Sequence, residues 1–525
     1  MTASNGSFPP SRVNLTEDGA DASKLTFHTK IFIGNKSFGQ LFPIPSKVAY
    51  HQSQYVPAKS GQFWTVRNPT DDSIVTEEVH CAGEEDVDDA VAASQSAFEE
   101  TWGNMASSER QKIMLKLADL LDRDNLAIVK LESIAMGQPT AFGARLGGLL
   151  GSIVRYYAGW CDKLPGELQA DDGDGRFKLV RYQPLGVCAG IAAWNATLTF
   201  LCMKTMPAIA AGNTFIFKSS EKSPLGSLAF GELVKEAGFP PGVINIISGP
   251  GSTGALLASH MGIKKISYTG SVNAGRKVQV AATNSNLKRV TLELGGKSPS
   301  IIFPDADLEN ALENSSQNFL LNSGQICVSA TRVLIHEDIA ENFANELKAR
   351  FEMFKNTMGE PLAKETFLGP LADKAQTENV RSFFQQGKKD GVEFLTGGKI
   401  KGNFVEPTIM KNPPLDSSVW KEEIFGPALG IRTFKSEEEA IRLANDTSYG
   451  LSACVYTSDI ARALRVSGRL ESGTVAINSN YLPGTTVPFG GWKQSGNGGR
   501  EGGYAAIKSY LEAKTITINM EVGPR

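Results

Sequence analysis

Between residues 184 and 294 the chain alternates short apolar runs with longer segments of helical period, and this rhythm limits the possible folds more than any other feature. The runs lie at 187–194, 214–218, 243–248, 265–269 and 289–294; the helix-like segments between them lie at 201–211, 224–237, 253–260 and 273–283. Strands alternating with helices at this pitch are joined by crossovers and build a parallel sheet covered by helices. Ligands of such sheets bind beyond the carboxyl ends of the strands. Asn195, Lys218, the turn 249–251, Ser271 and Glu293 each fall at or just past a predicted strand end, where a dinucleotide site would need them.

With 525 residues the chain exceeds one ordinary domain. Helical spacing recurs at 308–322, 338–354, 374–388 and 436–445, with strand-like VLIHE, FVEPTIM, ALGIRTF and SACVYT among them, so a second α/β domain is expected. Upstream, 84–98, 107–122, 124–136 and 147–159 are predicted amphipathic helices whose apolar stripes serve packing. Residues 1–24 are polar and predict a loose tail. The segment 29–37 predicts an edge strand and turn, and 38–60 shows no clear period. Residues 177–182 and the stretch from 509 alternate as strands do; exposed strands of this kind invite pairing.

Composition excludes several functions. Hydrophobic residues make up 41% and charged residues 21% of a chain whose net charge is -3, which gives no electrostatic reason for nucleic acid or an anionic membrane as partner. The six cysteines form no CxxC pair, which suits free thiols in a reducing compartment. The apolar stretch at 148–160 is interrupted by Arg155 and no leader pattern opens the chain, so the expected location is cytoplasmic. Five histidines make neither HExxH nor a cluster, and no metal is expected.

Two groups carry candidate covalent chemistry. Glu293 ends an apolar run, and Cys327 follows Ser-Gly-Gln soon afterwards. A thiol that attacks a carbonyl can leave a thioester, and a nearby carboxylate can activate the water that clears it. For an isolated pair, a core cysteine and a solvated glutamate would be the default reading. The surrounding words reverse it. LELGGKSP at 292–299 and SGQIC at 323–327 resemble the two active-site signatures of the aldehyde dehydrogenase superfamily. EEIFGP at 422–427 and PFGGWKQSG at 488–496 resemble two further blocks in the same order, so the likeness runs from about residue 65 to the C-terminus.

That resemblance implies a Rossmann-like cofactor domain (25–165 and 185–292), a catalytic domain (293–495) and oligomerisation strands (166–184 and 509–525), with 1–24 as the tail. It also implies a homodimer or homotetramer. It assigns Cys327 as nucleophile, Glu293 as base, and Asn195 with the Cys327 N–H as oxyanion donors, with Lys204 helping to orient them. For NAD it implies Ile191, Trp194, Lys218, Glu221, Gly251, Ser271, Leu294, Glu423 and Phe425. Lys218 and Glu221 would hold the adenosine ribose, and a carboxylate there repels a 2′-phosphate, so NAD is favoured over NADP. GPGSTG at 249–254 is a literal GxGxxG, but the acid expected about 20 residues later is absent. GGKS at 295–298 lacks the earlier glycine of a phosphate loop.

The resemblance borders the substrate with Phe200, Met203, Ile326, Val328, Tyr481 and Leu482, mostly apolar and without a charge. An aliphatic, aromatic or terpenoid aldehyde is therefore expected, oxidised to its acid. One departure stands out: Ala196-Thr197 replace the family's aromatic-Pro pair, which puts the substrate class in doubt. A semialdehyde or aminoaldehyde dehydrogenase of the same mechanism, or a cysteine esterase without redox turnover, stays open.

Overall fold

The computed structural model describes residues 31–33, 54–480 and 484–521. The tail 1–24, residues 38–53 of the periodless stretch, and Tyr481 and Leu482 lie outside the described residues.

Two seven-stranded sheets organise the molecule. In the first, Arg289–Glu293, Lys265–Thr269, Val187–Ile191, Thr214–Lys218 and Ile244–Ile247 lie side by side and parallel. The chain runs from Val187–Ile191 outward through two strands, then returns to the other side for Lys265–Thr269. The strand order thus reverses beside Ile191, the position where a doubly wound sheet opens a ligand crevice. Val187–Ile191, Thr214–Lys218 and Lys265–Thr269 are buried along their whole lengths, as strands covered on both faces must be.

Ile31–Ile33 pairs antiparallel with Ile244–Ile247 on one side and Gln54–Val56 on the other. The edge is therefore Gln54–Val56, not the strand expected within 29–37. Local alternation predicts a strand, but which neighbour covers it is set by a distant pairing.

The second sheet runs Glu393–Thr396, Thr408–Lys411, Ala428–Phe434, Ala330–His336, Ser298–Ile302, Ser452–Tyr456 and Thr474–Ile477. All neighbours are parallel except the first pair. A third, small sheet pairs Leu511–Asn519 with Arg176–Pro184 antiparallel from end to end, and Glu167–Leu168 flanks it. Arg289 ties this sheet to the first by donating to the Leu511 carbonyl at 2.6 Å and pairing with Glu512. Among the described residues no helix is long and apolar enough to cross a membrane.

Two helices expected at 107–122 and 124–136 are one, Ser107–Met136. The polar pair Arg123-Asp124 looks like an interruption in sequence, yet it lies on the solvent side, where Arg123 bridges Asp124 and Glu236 at 2.7 Å each. Conversely, the helix expected at 308–322 holds as Leu308–Glu313, widens into a π-turn at Asn314–Asn318, and gives way beyond it. Asn322 and Ser323 adopt left-handed backbone (φ 52° and 54°), which turns the chain toward Cys327.

Arg332 anchors the core of the second sheet. It is fully buried, and its guanidinium donates to the carbonyls of Lys297, Leu443 and Ala444 at 2.7–2.9 Å while stacking 5.5 Å from the Trp420 ring. Arg332→Ala strands three buried carbonyls and is expected to cost at least about 3 kcal/mol. The measurable outcome is a thermal midpoint lower by about 3 °C or more. Arg332→Lys recovers only part of this, because one ammonium cannot span the fork.

Candidate active site

Four stretches far apart in sequence meet at the glycines that follow Glu293. A side chain on Gly296 would strike the Cys327 carbonyl at 2.4 Å, so the backbones of LELGGKSP and SGQIC touch directly. Glu423, from EEIFGP, lies against Gly295 and accepts a hydrogen bond from the Gly296 N–H at 3.0 Å. Gly490, from PFGGWKQSG, leaves room for Glu293: a Cβ there would stand 2.8 Å from Oε1. Gly324 has φ 71° and passes 2.3 Å, at its absent Cβ, from the Gly426 carbonyl, so no other residue fits the turn before Cys327.

Cys327 is half-buried, whereas the other five cysteines are buried. Desolvation, then the charges of Glu423 and Glu293, push its thiol up to about 12. Glu293 is buried, and neither carboxylate oxygen has a hydrogen-bond partner among the described residues. Burial and the Glu501 charge raise it well above the usual carboxylate range, with Lys204 and Arg500 pulling the other way. An unpaired buried carboxyl is costly and calls for a functional explanation.

Asn195 sits in the 3₁₀ turn Trp194–Ala196 at the end of the first strand. Its side-chain N–H donates to the Gln325 carbonyl at 3.0 Å, two residues before Cys327. Gln138 and Asn322 both donate to the Asn195 carbonyl, at 3.3 and 3.2 Å. The turn is therefore clamped to the cysteine loop from both sides.

Lys204 is fully buried on helix Thr197–Ala210. It donates to Ser267 at 2.9 Å and is paired with Glu501, which also accepts from Ser267. Sequence reading missed Glu501 and Ser267. The glycines around Glu501 in GREGG are the only local hint, because a charge pair between residues 204 and 501 leaves no spacing to recognise.

The residues expected at the cofactor gather along the crevice. Ile191 and Lys218 end adjacent strands, and both lie against Gly254 of helix Gly251–Ser259. Lys218 is buried, donates to the Ser219 carbonyl at 2.9 Å, and is lowered by burial to about 8, with Glu221 opposing that shift. Gly251 opens its helix with no heavy atom within 4 Å of where a Cβ would stand. Ser271 caps helix Val272–Ser285 by accepting from the Ala274 N–H, and Leu294 packs on Gly275 of that helix. Trp194 and Phe425 meet edge to face at 5.3 Å. Glu423 is pushed up to about 7, chiefly by burial. Two helix N-termini, a buried lysine and open space at Gly251 fit a dinucleotide.

The expected substrate residues divide into two groups. Phe200 and Met203 stand on helix Thr197–Ala210, with Met203 buried in the core beneath the first sheet. Ile326 and Val328 flank Cys327 and cluster with Leu451 and Phe489. Asn478 spends both ends of its side-chain amide on the Thr457 backbone, at 3.0 and 2.9 Å.

Comparison with known proteins agrees with this geometry. Residues 55–516 match the model of the aldehyde dehydrogenase family. Aldehyde dehydrogenase 1A1 of Oryctolagus cuniculus is 43% identical over 505 residues, covering 94% of this chain and 96% of that protein. Retinal dehydrogenase 2 of Homo sapiens is 42% identical over 501 residues, covering 94% and 92%. A betaine aldehyde dehydrogenase from Staphylococcus aureus, solved in complex with NAD+, superposes with a TM-score of 0.88 at 30% identity, covering 95% of this chain and 99% of that one. The chain belongs to the aldehyde dehydrogenase family, and it is an NAD-dependent oxidoreductase that oxidises aldehydes.

The raised Cys327 thiol has a direct consequence, because the thiolate is the reacting form. Labelling of Cys327 by iodoacetamide is expected to keep accelerating beyond pH about 8.5, where an ordinary cysteine levels off. Glu423→Gln removes a negative neighbour and shifts the curve to lower pH. Peptide mass spectrometry follows both effects; a plateau at neutral pH in the unaltered enzyme would contradict the desolvated site.

Proposed function

We propose that Cys327 attacks the carbonyl carbon of an apolar aldehyde and that Glu293 delivers the water which releases the acid. The observation that carries this reading is that Cys327 and Glu423 meet the Gly295-Gly296 turn that follows Glu293, while Asn195 bonds the cysteine loop at the Gln325 carbonyl. An amide nitrogen carries two N–H groups. The Gln325 carbonyl takes one from Asn195, and the other, with the Cys327 N–H, serves the oxygen that becomes negative as sulfur bonds to carbon. NAD held along the crevice would supply the hydride acceptor for that carbon.

The thioester left on Cys327 is cleared by water. Glu293 accepts a proton as the water oxygen bonds to the acyl carbon, and the carbon–sulfur bond breaks to return the thiolate. A carboxyl whose pKa is raised by burial is a stronger base once ionised. Lys204, paired with Glu501 and bonded to Ser267, provides fixed polar partners beside it. Lys218 and Glu221 would hold the adenosine ribose, Ser271 and Gly251 the phosphates, and Glu423 with Phe425 the nicotinamide end.

Phe200, Met203, Ile326 and Val328 are apolar, and the sequence resemblance adds Tyr481 and Leu482 to the residues expected at the aldehyde. One relative supports this preference: it is named for retinal, an apolar aldehyde, and shares more sequence with this chain than the betaine aldehyde enzyme does, 42% against 30%. We further propose that the outer edge of Leu511–Asn519, where Ile518 is exposed, pairs with a second copy. The enzyme would act in the cytoplasm.

An aldehyde panel with NAD and NADP tests the reading, with reduced cofactor followed and the acid identified. Aliphatic and aromatic aldehydes with NAD are expected to turn over best; preference for a charged semialdehyde or for NADP would overturn the assignment. The pH dependence has a definite sign. Glu293 must be ionised to act and its pKa is raised, so kcat should still be rising with pH where an ordinary carboxylate is already fully ionised. Glu293→Gln should remove that limb.

A further inference from the structure

The turn that aims Asn195 is itself held by two buried hydroxyls. Thr197 and Ser223 are fully buried, and their oxygens lie 2.5 Å apart. Ser223 donates toward the Trp194 carbonyl at 3.2 Å, and the Thr197 hydroxyl lies 3.3 Å from the carbonyls of both Trp194 and Ala193. Helix Thr197–Ala210 starts without a side-chain cap, and Ala196 just before it adopts neither helical nor extended backbone (φ −156°, ψ 48°). The 3₁₀ turn therefore depends on these hydroxyls for its shape on that side.

Ser223 closes the loop that begins at Lys218 and carries Glu221. On the same loop, Lys222 lies 5.3 Å from the Trp194 ring and pairs with Asp373 at 2.7 Å. The Trp194 carbonyl and ring are thus both gripped by one segment. Behind the hydroxyls stands Glu132, buried on helix Ser107–Met136 and pressed against Gly226. Burial pushes it up to about 8, while the Thr197 hydroxyl and the Gly226 N–H, donating to its carboxyl, pull the other way.

We propose that the Thr197–Ser223 pair is a positioning latch: it fixes the Trp194 carbonyl and thereby the aim of the Asn195 amide at the substrate oxygen. The proposal rests on the oxyanion role assigned to Asn195. Thr197 touches neither substrate nor cofactor in this account and acts through Asn195 alone.

The test is a double-mutant cycle between positions 197 and 195, read as kcat with aldehyde and NAD. Thr197→Val keeps the shape and removes the hydroxyl. It is expected to lower kcat about tenfold while aldehyde KM moves less than about twofold, the pattern of a misaimed group. In the Asn195→Ala enzyme, itself slower by about 100-fold, Thr197→Val should change kcat by less than about twofold, because the group it aims is gone. Thr197→Ser should restore the rate. Equal losses in both backgrounds, or a Thr197→Ser enzyme as slow as the valine variant, would overturn the latch and leave the oxyanion role intact. An Asn195→Ala enzyme at full speed would overturn both. Ser223→Ala, taken through the same cycle, gives the same reading should the valine variant fail to fold.

Discussion

Asn195 donates to the Gln325 carbonyl across 130 positions of sequence, and this contact makes one site out of two sheets. The 3₁₀ turn at the end of Val187–Ile191 belongs to the first sheet; the cysteine loop precedes Ala330–His336 in the second. Neither alone places an amide beside a thiol. Asn322 and Gln138 reinforce the clamp from the other side of the turn. Each of these groups would cost about 1–3 kcal/mol if left unpaired in the interior, so the pairing of backbone and amide groups that stabilises the fold also sets the geometry of the reaction.

The same economy governs the charges. Burial raises Glu293 well above its usual range and lifts Cys327 to about 12 and Glu423 to about 7. Water that would stabilise their ions is excluded, and the two carboxylates further oppose ionisation of the thiol. Lys204, paired with Glu501, opposes the shift of Glu293, and Lys297 opposes that of Glu423. Each of these three groups is thus harder to ionise than its free counterpart. Reaction begins when a proton leaves, which ties the rate to pH.

Much of the scaffold was legible because its signals are local. Thr214–Lys218 and Lys265–Thr269 are fully buried five-residue strands flanked by turn residues, and such runs show their own limits. The active-site words LELGGKSP and SGQIC were legible because close backbone approach leaves only glycine at 296 and 324. What failed locally is equally specific. Arg123-Asp124 reads as a break but lies on the solvent side of a continuous helix, and Asn322 reads as the last residue of a helix but turns left-handed. The Glu501–Lys204–Ser267 cluster and the Thr197–Ser223 pair were invisible, because distant residues meet there through tertiary packing alone.

The central claim is that the sulfur of Cys327 carries the substrate's acyl group between oxidation and hydrolysis. Glu293→Gln enzyme mixed with aldehyde and NAD, quenched in acid and digested, tests it by mass spectrometry. The account predicts that the Cys327 peptide gains the mass of the acyl group and that this adduct disappears with hydroxylamine. An unmodified Cys327 peptide, while acid product still accumulates at the normal rate, would contradict it.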